Sequence, residues 1–89
     1  MKHFNITVVG KVQGVFYRQS VFEMAKQLGI NGFCRNEANG DVYIEAEGDE
    51  ERLKKFVEWC KKGPPRAFVR DVKFFEGEIK NFSSFEIRR

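Results

Sequence analysis

Apolar residues recur with two different periods along these 89 residues, and the order in which the periods alternate restricts the fold more than any single motif does. Phe4, Ile6 and Val8 fall at every second position with Asn5 and Thr7 between them, the pattern of a half-buried strand that ends near Gly10. Val21, Met24, Ala25 and Leu28 then fall at i, i+3, i+4 and i+7, one face of a helix, with Gly29 as its stop. Gly32-Phe33-Cys34-Arg35-Asn36 reads as a second strand. Asn39-Gly40 is a strong hairpin signal, and Val42, Ile44 and Ala46 alternate with Tyr43, Glu45 and Glu47 to give a third strand. Asp49 is a good N-cap for a second helix, whose buried face is Leu53, Phe56, Val57 and Cys60 and which Gly63-Pro64-Pro65 ends. Phe68 to Glu76 is a fourth strand with Phe68, Val72 and Phe74 on one side, and Phe85 and Ile87 mark a short final strand.

Strand, helix, strand, strand, helix, strand is the doubled βαβ unit of an α+β, ferredoxin-like sandwich. Two helices are expected to cover one face of an antiparallel sheet and to leave the other face partly open. Residues 1–89 are read as a single domain, because neither a repeat nor a linker interrupts the pattern. The fold alone says nothing about chemistry.

Composition removes several classes of function. The 16 basic and 13 acidic side chains are well mixed and leave a net charge of only +3, which suits a small anion better than a nucleic acid. An RNA-binding sheet would also carry a basic and aromatic motif on its central strands, and Tyr43 alone on the third strand does not supply it. Two cysteines and one histidine are too few for a zinc site. His3 stands near the N-terminus with no evident acid partner. Asp41, Glu45 and Glu47 read as solvated carboxylates beside a strand. Cys34 and Cys60 read as small buried apolar residues; a disulfide between them is the less favoured alternative. The N-terminal residues lack the apolar run of a signal peptide, and no segment is long enough to cross a membrane. A monomeric cytoplasmic protein with reduced thiols is the expectation.

The segment Gln13-Gly14-Val15-Phe16-Tyr17-Arg18 joins the first strand to the first helix. Amides in such a loop can converge on an anion, the first N–H groups of a helix have no intrahelical partner, and Arg18 adds a planar cationic fork. Two readings of the local sequence stay open. If the helix starts near Phe16, the amides of Gln13, Gly14, Val15, Phe16 and Tyr17 form an anion cradle. If Ser20 caps the helix through Glu23, the loop is an ordinary connection and Arg18 is solvated. Asn36 is ambiguous in the same way. It is either a turn residue satisfying local backbone groups or an amide able to donate and accept at once, as holding a water requires.

The segment Gly10 to Arg18, with its spaced glycines, Val12, Val15, an aromatic residue and the arginine, resembles one motif of the acylphosphatase family. Gly32 to Asn36 with Gly40, Val42 and Gly48 resembles the other. The resemblance implies a hydrolase that splits the carboxyl–phosphate bond of a small-molecule acyl phosphate, giving a carboxylate and inorganic phosphate, which also inhibits as product. It implies that Arg18 and the loop amides hold the phosphate, that Asn36 holds the attacking water, and that no metal or other cofactor takes part. The alternative is a non-enzymatic module that binds phosphate or an acyl phosphate in the same cradle. The joint presence of Arg18 and Asn36 argues against it, since binding alone does not need a water-holding amide.

Overall fold

The two most regular alternations in the sequence lie side by side at the centre of the sheet. In the computed structural model, which describes residues 1–89, β1 (Lys2–Lys11) pairs antiparallel with β3 (Val42–Gly48), Ile6 opposite Ile44 and Val8 opposite Val42. Strand β2 (Asn31–Asn36) flanks β3 and β4 (Phe68–Gly77) flanks β1, both antiparallel. The fifth strand, β5 (Phe85–Arg88), adds to the outer edge of β2, so the order is β4-β1-β3-β2-β5. This last pairing is parallel, which makes the sheet mixed where a wholly antiparallel one was expected. The cause lies in the chain path. After β4 the segment 78–84 crosses the whole sheet to reach its far edge, a connection that can deliver a strand in either direction.

Helices α1 (Tyr17–Leu28) and α2 (Glu50–Lys62) cover one face. Val21 and Ala25 of α1, and Leu53, Phe56, Val57 and Cys60 of α2, are buried against Ile6, Val8, Val42, Ile44 and Ala46 of the sheet. Each fully buried aliphatic or phenyl side chain contributes roughly 1.5–3 kcal/mol relative to leaving it in water. Asp49 caps α2 as anticipated, accepting from the Arg52 amide at 2.9 Å. Cys34 and Cys60 are both buried free thiols, and burial pushes each thiol up to about 12, so neither is primed for attack or oxidation.

Phe68 does not share a face with Val72 and Phe74. The β1–β4 register jumps from Val9 opposite Asp71 to Gly10 opposite Val69, leaving Arg70 as an extra residue. The bulge turns Phe68 over to sit opposite Lys11, and it is exposed.

The second face of the sheet is partly open, as expected: Asp71, Lys73 and Phe75 are exposed, but segment 78–84 straps across the rest of it. Phe82 stacks on His3 with ring centroids 5.8 Å apart, and its amide donates to Glu47 Oε1 at 2.9 Å. The Lys80 amide donates to Glu47 Oε2, and the Lys80 ammonium sits 2.9 Å from Glu45 Oε1. His3 is buried rather than frayed. Its Nδ1 lies 2.8 Å from Glu47 and its Nε2 3.1 Å from Glu45. Tyr43 is half-buried and donates its hydroxyl to Glu45 at 2.8 Å. Of the three carboxylates expected to be solvated, Glu45 and Glu47 are therefore the fastening points of the strap, while Asp41 stays in the hairpin, beside Asn39.

Burial pushes the Glu47 carboxyl up, but the Lys80 amide, His3 and the Phe82 amide outweigh it and hold the group below its ordinary value. Glu45 follows the same balance, with burial overcome by hydrogen bonds from Lys80 and Tyr43. A carboxylate depressed in the folded state adds stability that is present above its unfolded pKa, about 4.3, and lost as pH falls through the folded-state value. Glu47→Gln should therefore cost about 1–3 kcal/mol at pH 7. It should also make the fall of melting temperature between pH 5 and pH 2 shallower than in the parent. An unchanged acid slope in thermal melts would show that Glu47 does not fasten the strap.

Candidate active site

The link between β1 and α1 is built by side chains that point alternately into and away from the core. Val12, Val15 and Tyr17 are buried, whereas Gly14 and Phe16 are exposed. Tyr17 is anchored twice. Its ring lies 5.8 Å from that of Trp59, and its hydroxyl donates to the Cys60 carbonyl at 2.7 Å. Burial pushes the Tyr17 hydroxyl well above the usual tyrosine value, so it stays a neutral donor. Between the anchors the backbone has to turn sharply. Gly14 takes φ 72° and Phe16 takes φ 64°, ψ 22°. A left-handed phenylalanine costs roughly 1–2 kcal/mol, and here the buried neighbours on both sides hold it there.

This geometry settles where the helix starts. Phe16 is the N-cap, its carbonyl accepts from the Ser20 amide at 3.1 Å, and Ser20 lies inside α1. No side chain caps the helix. None of the N–H groups of Gln13, Gly14, Val15, Phe16 and Tyr17 donates to a protein acceptor. A strand-to-helix turn that leaves its amides unpaired beside the positive end of a helix dipole is suited to an anion.

Arg18 stands in the first turn of α1. Its Nη1 donates to the Arg88 carbonyl of β5 at 3.0 Å, and no carboxylate pairs with it, so its charge is not neutralised locally. The Cys34 thiol lies 3.7 Å from the Arg18 carbonyl and ties that turn to β2. Across from it, Asn36 closes β2 opposite Val42. Its Oδ1 is buried and has no hydrogen-bond partner. Buried polar atoms are nearly always paired, and an orphan commonly marks a position where a water or ligand belongs.

A cavity of about 350 Å³ joins these parts. Gly14, Phe16, Tyr17, Arg18 and Asn36, residues singled out in the sequence, line it together. Gln13 and Val15 do not. Val15 packs into the core, and the Gln13 side chain turns to the β2–β3 hairpin. Val12, Gln19, Ile87 and Arg89 also line the cavity and were missed. Ile87 and Arg89 arrive because β5 runs parallel beside β2 and ends at the same end of the sheet, a pairing that the periodicity of four residues could not announce. The lining contains no histidine, cysteine, aspartate or glutamate side chain, and nowhere in the fold do three such groups gather in a metal-holding arrangement. The chemistry on offer is cationic and amide-based: a bound anion, and a water held by a neutral amide.

The family model for acylphosphatase matches residues 4–87. An acylphosphatase of Archaeoglobus fulgidus is 46% identical over 82 residues, which are 92% of this chain and 92% of that one. Among solved structures, the acylphosphatase of Bacillus subtilis superposes with a TM-score of 0.97 at 36% identity, covering 100% of both chains. That of Coxiella burnetii gives 0.95 at 38% identity, covering 98% of this chain and 92% of its own. Likeness of this extent, over the motifs and over the whole fold that places them, shows that the chain belongs to the acylphosphatase family, hydrolases that act on acyl phosphates.

Proposed function

We propose that Arg18 and the amides of Gln13, Gly14, Val15, Phe16 and Tyr17 hold the phosphate of the substrate, and that Asn36 holds the water that attacks it. The observation that carries this reading is the orphaned Oδ1 of Asn36, in a residue that shares one cavity with an Arg18 whose charge no carboxylate neutralises. The amide of Asn36 can accept from a water while that water's oxygen faces the phosphorus. Carboxylate is a good leaving group and departs without prior protonation. In a loose phosphoryl-transfer transition state little covalent work falls to the protein, so positioning and charge stabilisation suffice. The water's proton passes to an oxygen of the phosphate itself, since no carboxylate side chain or imidazole lines the cavity. The products are a carboxylate and inorganic phosphate, and the phosphate competes for the cradle it leaves.

The donor set supports a metal-independent reaction in which the fixed amides and Arg18 supply positive field at the phosphate, with Arg89 a further cation in the lining. All parts of the site come from one chain, which supports a monomer as the working unit. No helix is long and apolar enough to cross a membrane, and we place the protein in the cytoplasm on the reading of its thiols as reduced.

Three measurements test these roles. Hydrolysis of benzoyl phosphate should survive excess EDTA; loss with chelator and recovery with magnesium would overturn the metal-independent mechanism. Arg18→Ala removes charge-assisted hydrogen bonds worth roughly 1.5–3 kcal/mol each. It should abolish measurable turnover and weaken inhibition by inorganic phosphate at least tenfold by the same reckoning, about 1.4 kcal/mol per decade. Near-normal phosphate inhibition in that variant would place Arg18 outside the cradle. Asn36→Ala should act on the rate and leave ground-state binding nearly intact. Its kcat should drop by about 10²–10³ with KM and phosphate inhibition little changed, the pattern of a contact made in the transition state. A folded Asn36→Ala protein with wild-type kcat would make Asn36 a turn residue.

A further inference from the structure

The Gln13 side chain does not enter the cavity, yet it is the one part of the loop 12–16 that hydrogen-bonds the hairpin following Asn36. Its Nε2 donates both protons across the neck of that hairpin, to the Glu37 carbonyl at 2.8 Å and to the Asp41 carbonyl at 2.9 Å. Glu37 follows Asn36 directly. Asp41 precedes Val42, the residue opposite Asn36 in the ladder. The same two residues bond each other, the Glu37 amide donating to the Asp41 carbonyl at 2.8 Å. No backbone bond joins the loop to the hairpin. An NH2 group straddling two carbonyls is a use of glutamine that neither a carboxylate nor an apolar side chain of the same size reproduces.

We propose that Gln13 is a positioning residue for the hydrolysis: its amide sets the distance between the phosphate cradle, of which its own backbone is part, and the water-holding Asn36. The proposal rests on the roles given above to the cradle and to Asn36. In-line attack demands that the water sit at a fixed place behind the phosphorus, and a displacement of about 1 Å at such a contact can cost up to about a hundredfold in rate. The cradle is held by Val12, Val15 and Tyr17 in the core, and Asn36 by the β2–β3 ladder. Each half is rigid by itself. Between loop and hairpin the two bonds of Gln13 are the tether, so their loss lets the halves drift without unfolding either.

The test is a double-mutant cycle of Gln13→Met with Asn36→Ala, run on benzoyl phosphate with phosphate inhibition measured in parallel and circular dichroism confirming folded samples. Methionine keeps the length of the side chain and removes both donors. Gln13→Met should lower kcat about tenfold and change phosphate inhibition less than about twofold, since the cradle amides and Arg18 remain. In the Asn36→Ala background the same change should lower kcat less than about twofold, because the group it positions is gone. Gln13→Glu, equal in size but with an acceptor where the two carbonyls need a donor, should reproduce the loss and guards against a defect peculiar to methionine. An equal fall of kcat in both backgrounds would make Gln13 a structural residue and overturn the proposal. So would a loss confined to phosphate inhibition. If Asn36→Ala lowers kcat but neither Gln13 variant does, the clamp alone has failed. If Asn36→Ala keeps wild-type kcat, the water-holding role has failed and the clamp falls with it.

Discussion

Everything at the site depends on the anchoring of Val12, Val15 and Tyr17 in the core. With those three side chains buried, the intervening backbone cannot relax into a regular helix turn or strand end. Phe16 is driven into a left-handed conformation, and the amides from Gln13 to Tyr17 are left without protein partners. The fold thus stores unsatisfied donors at one place and stabilises them by apolar packing at another, beside Trp59 and the Cys60 carbonyl of α2. An enzyme that binds an anion through backbone groups needs such an arrangement. Backbone amides cannot be switched or neutralised by pH, and they are as rigid as the core that carries them.

The two faces of the sheet divide the work. On the helix side, the packing of α1 and α2 fixes the loop and Arg18. On the other side, the strap 78–84 is locked by His3, Glu45, Glu47 and Lys80. The strap has no part in the cavity, yet it determines where β5 lies. β5 in turn supplies the Arg88 carbonyl that holds the Arg18 guanidinium, and it brings Ile87 and Arg89 to the cavity wall. A buried polar cluster far from the chemistry is in this way connected to it through the position of one short strand.

What could be read from the sequence was local. The period of two in Phe4, Ile6 and Val8, the helical spacing of Leu53, Phe56, Val57 and Cys60, and the stop at Gly63-Pro64-Pro65 express contacts each residue makes within its own element. Signals of this kind gave the order of the helices and strands, with the start of the first helix left open. The burial of His3, Glu45 and Glu47 was missed because alternation says only that they share a side, not that the aperiodic segment 78–84 lies over them. Phe68 was misplaced for a related reason, since one extra residue at Arg70 reverses the faces on either side of it. At the candidate site, local physics left two readings open for both Arg18 and Asn36, and only the resemblance to known motifs favoured the functional ones. Phe16 as a left-handed cap leaves no mark in the sequence, because phenylalanine has no preference for that conformation.

The bond between Arg18 and the Arg88 carbonyl joins residues 70 positions apart. On a ribosome adding about 5–20 residues per second, roughly 4–14 s separate the synthesis of the two. During that interval the nascent polypeptide already holds the glycine turn, the arginine and the asparagine, but not the strand that orients the guanidinium. Completion of the proposed site is therefore a late event in biogenesis. A ribosome-bound fragment lacking β5 carries both sequence motifs of the family without the contact that steadies the cation between them.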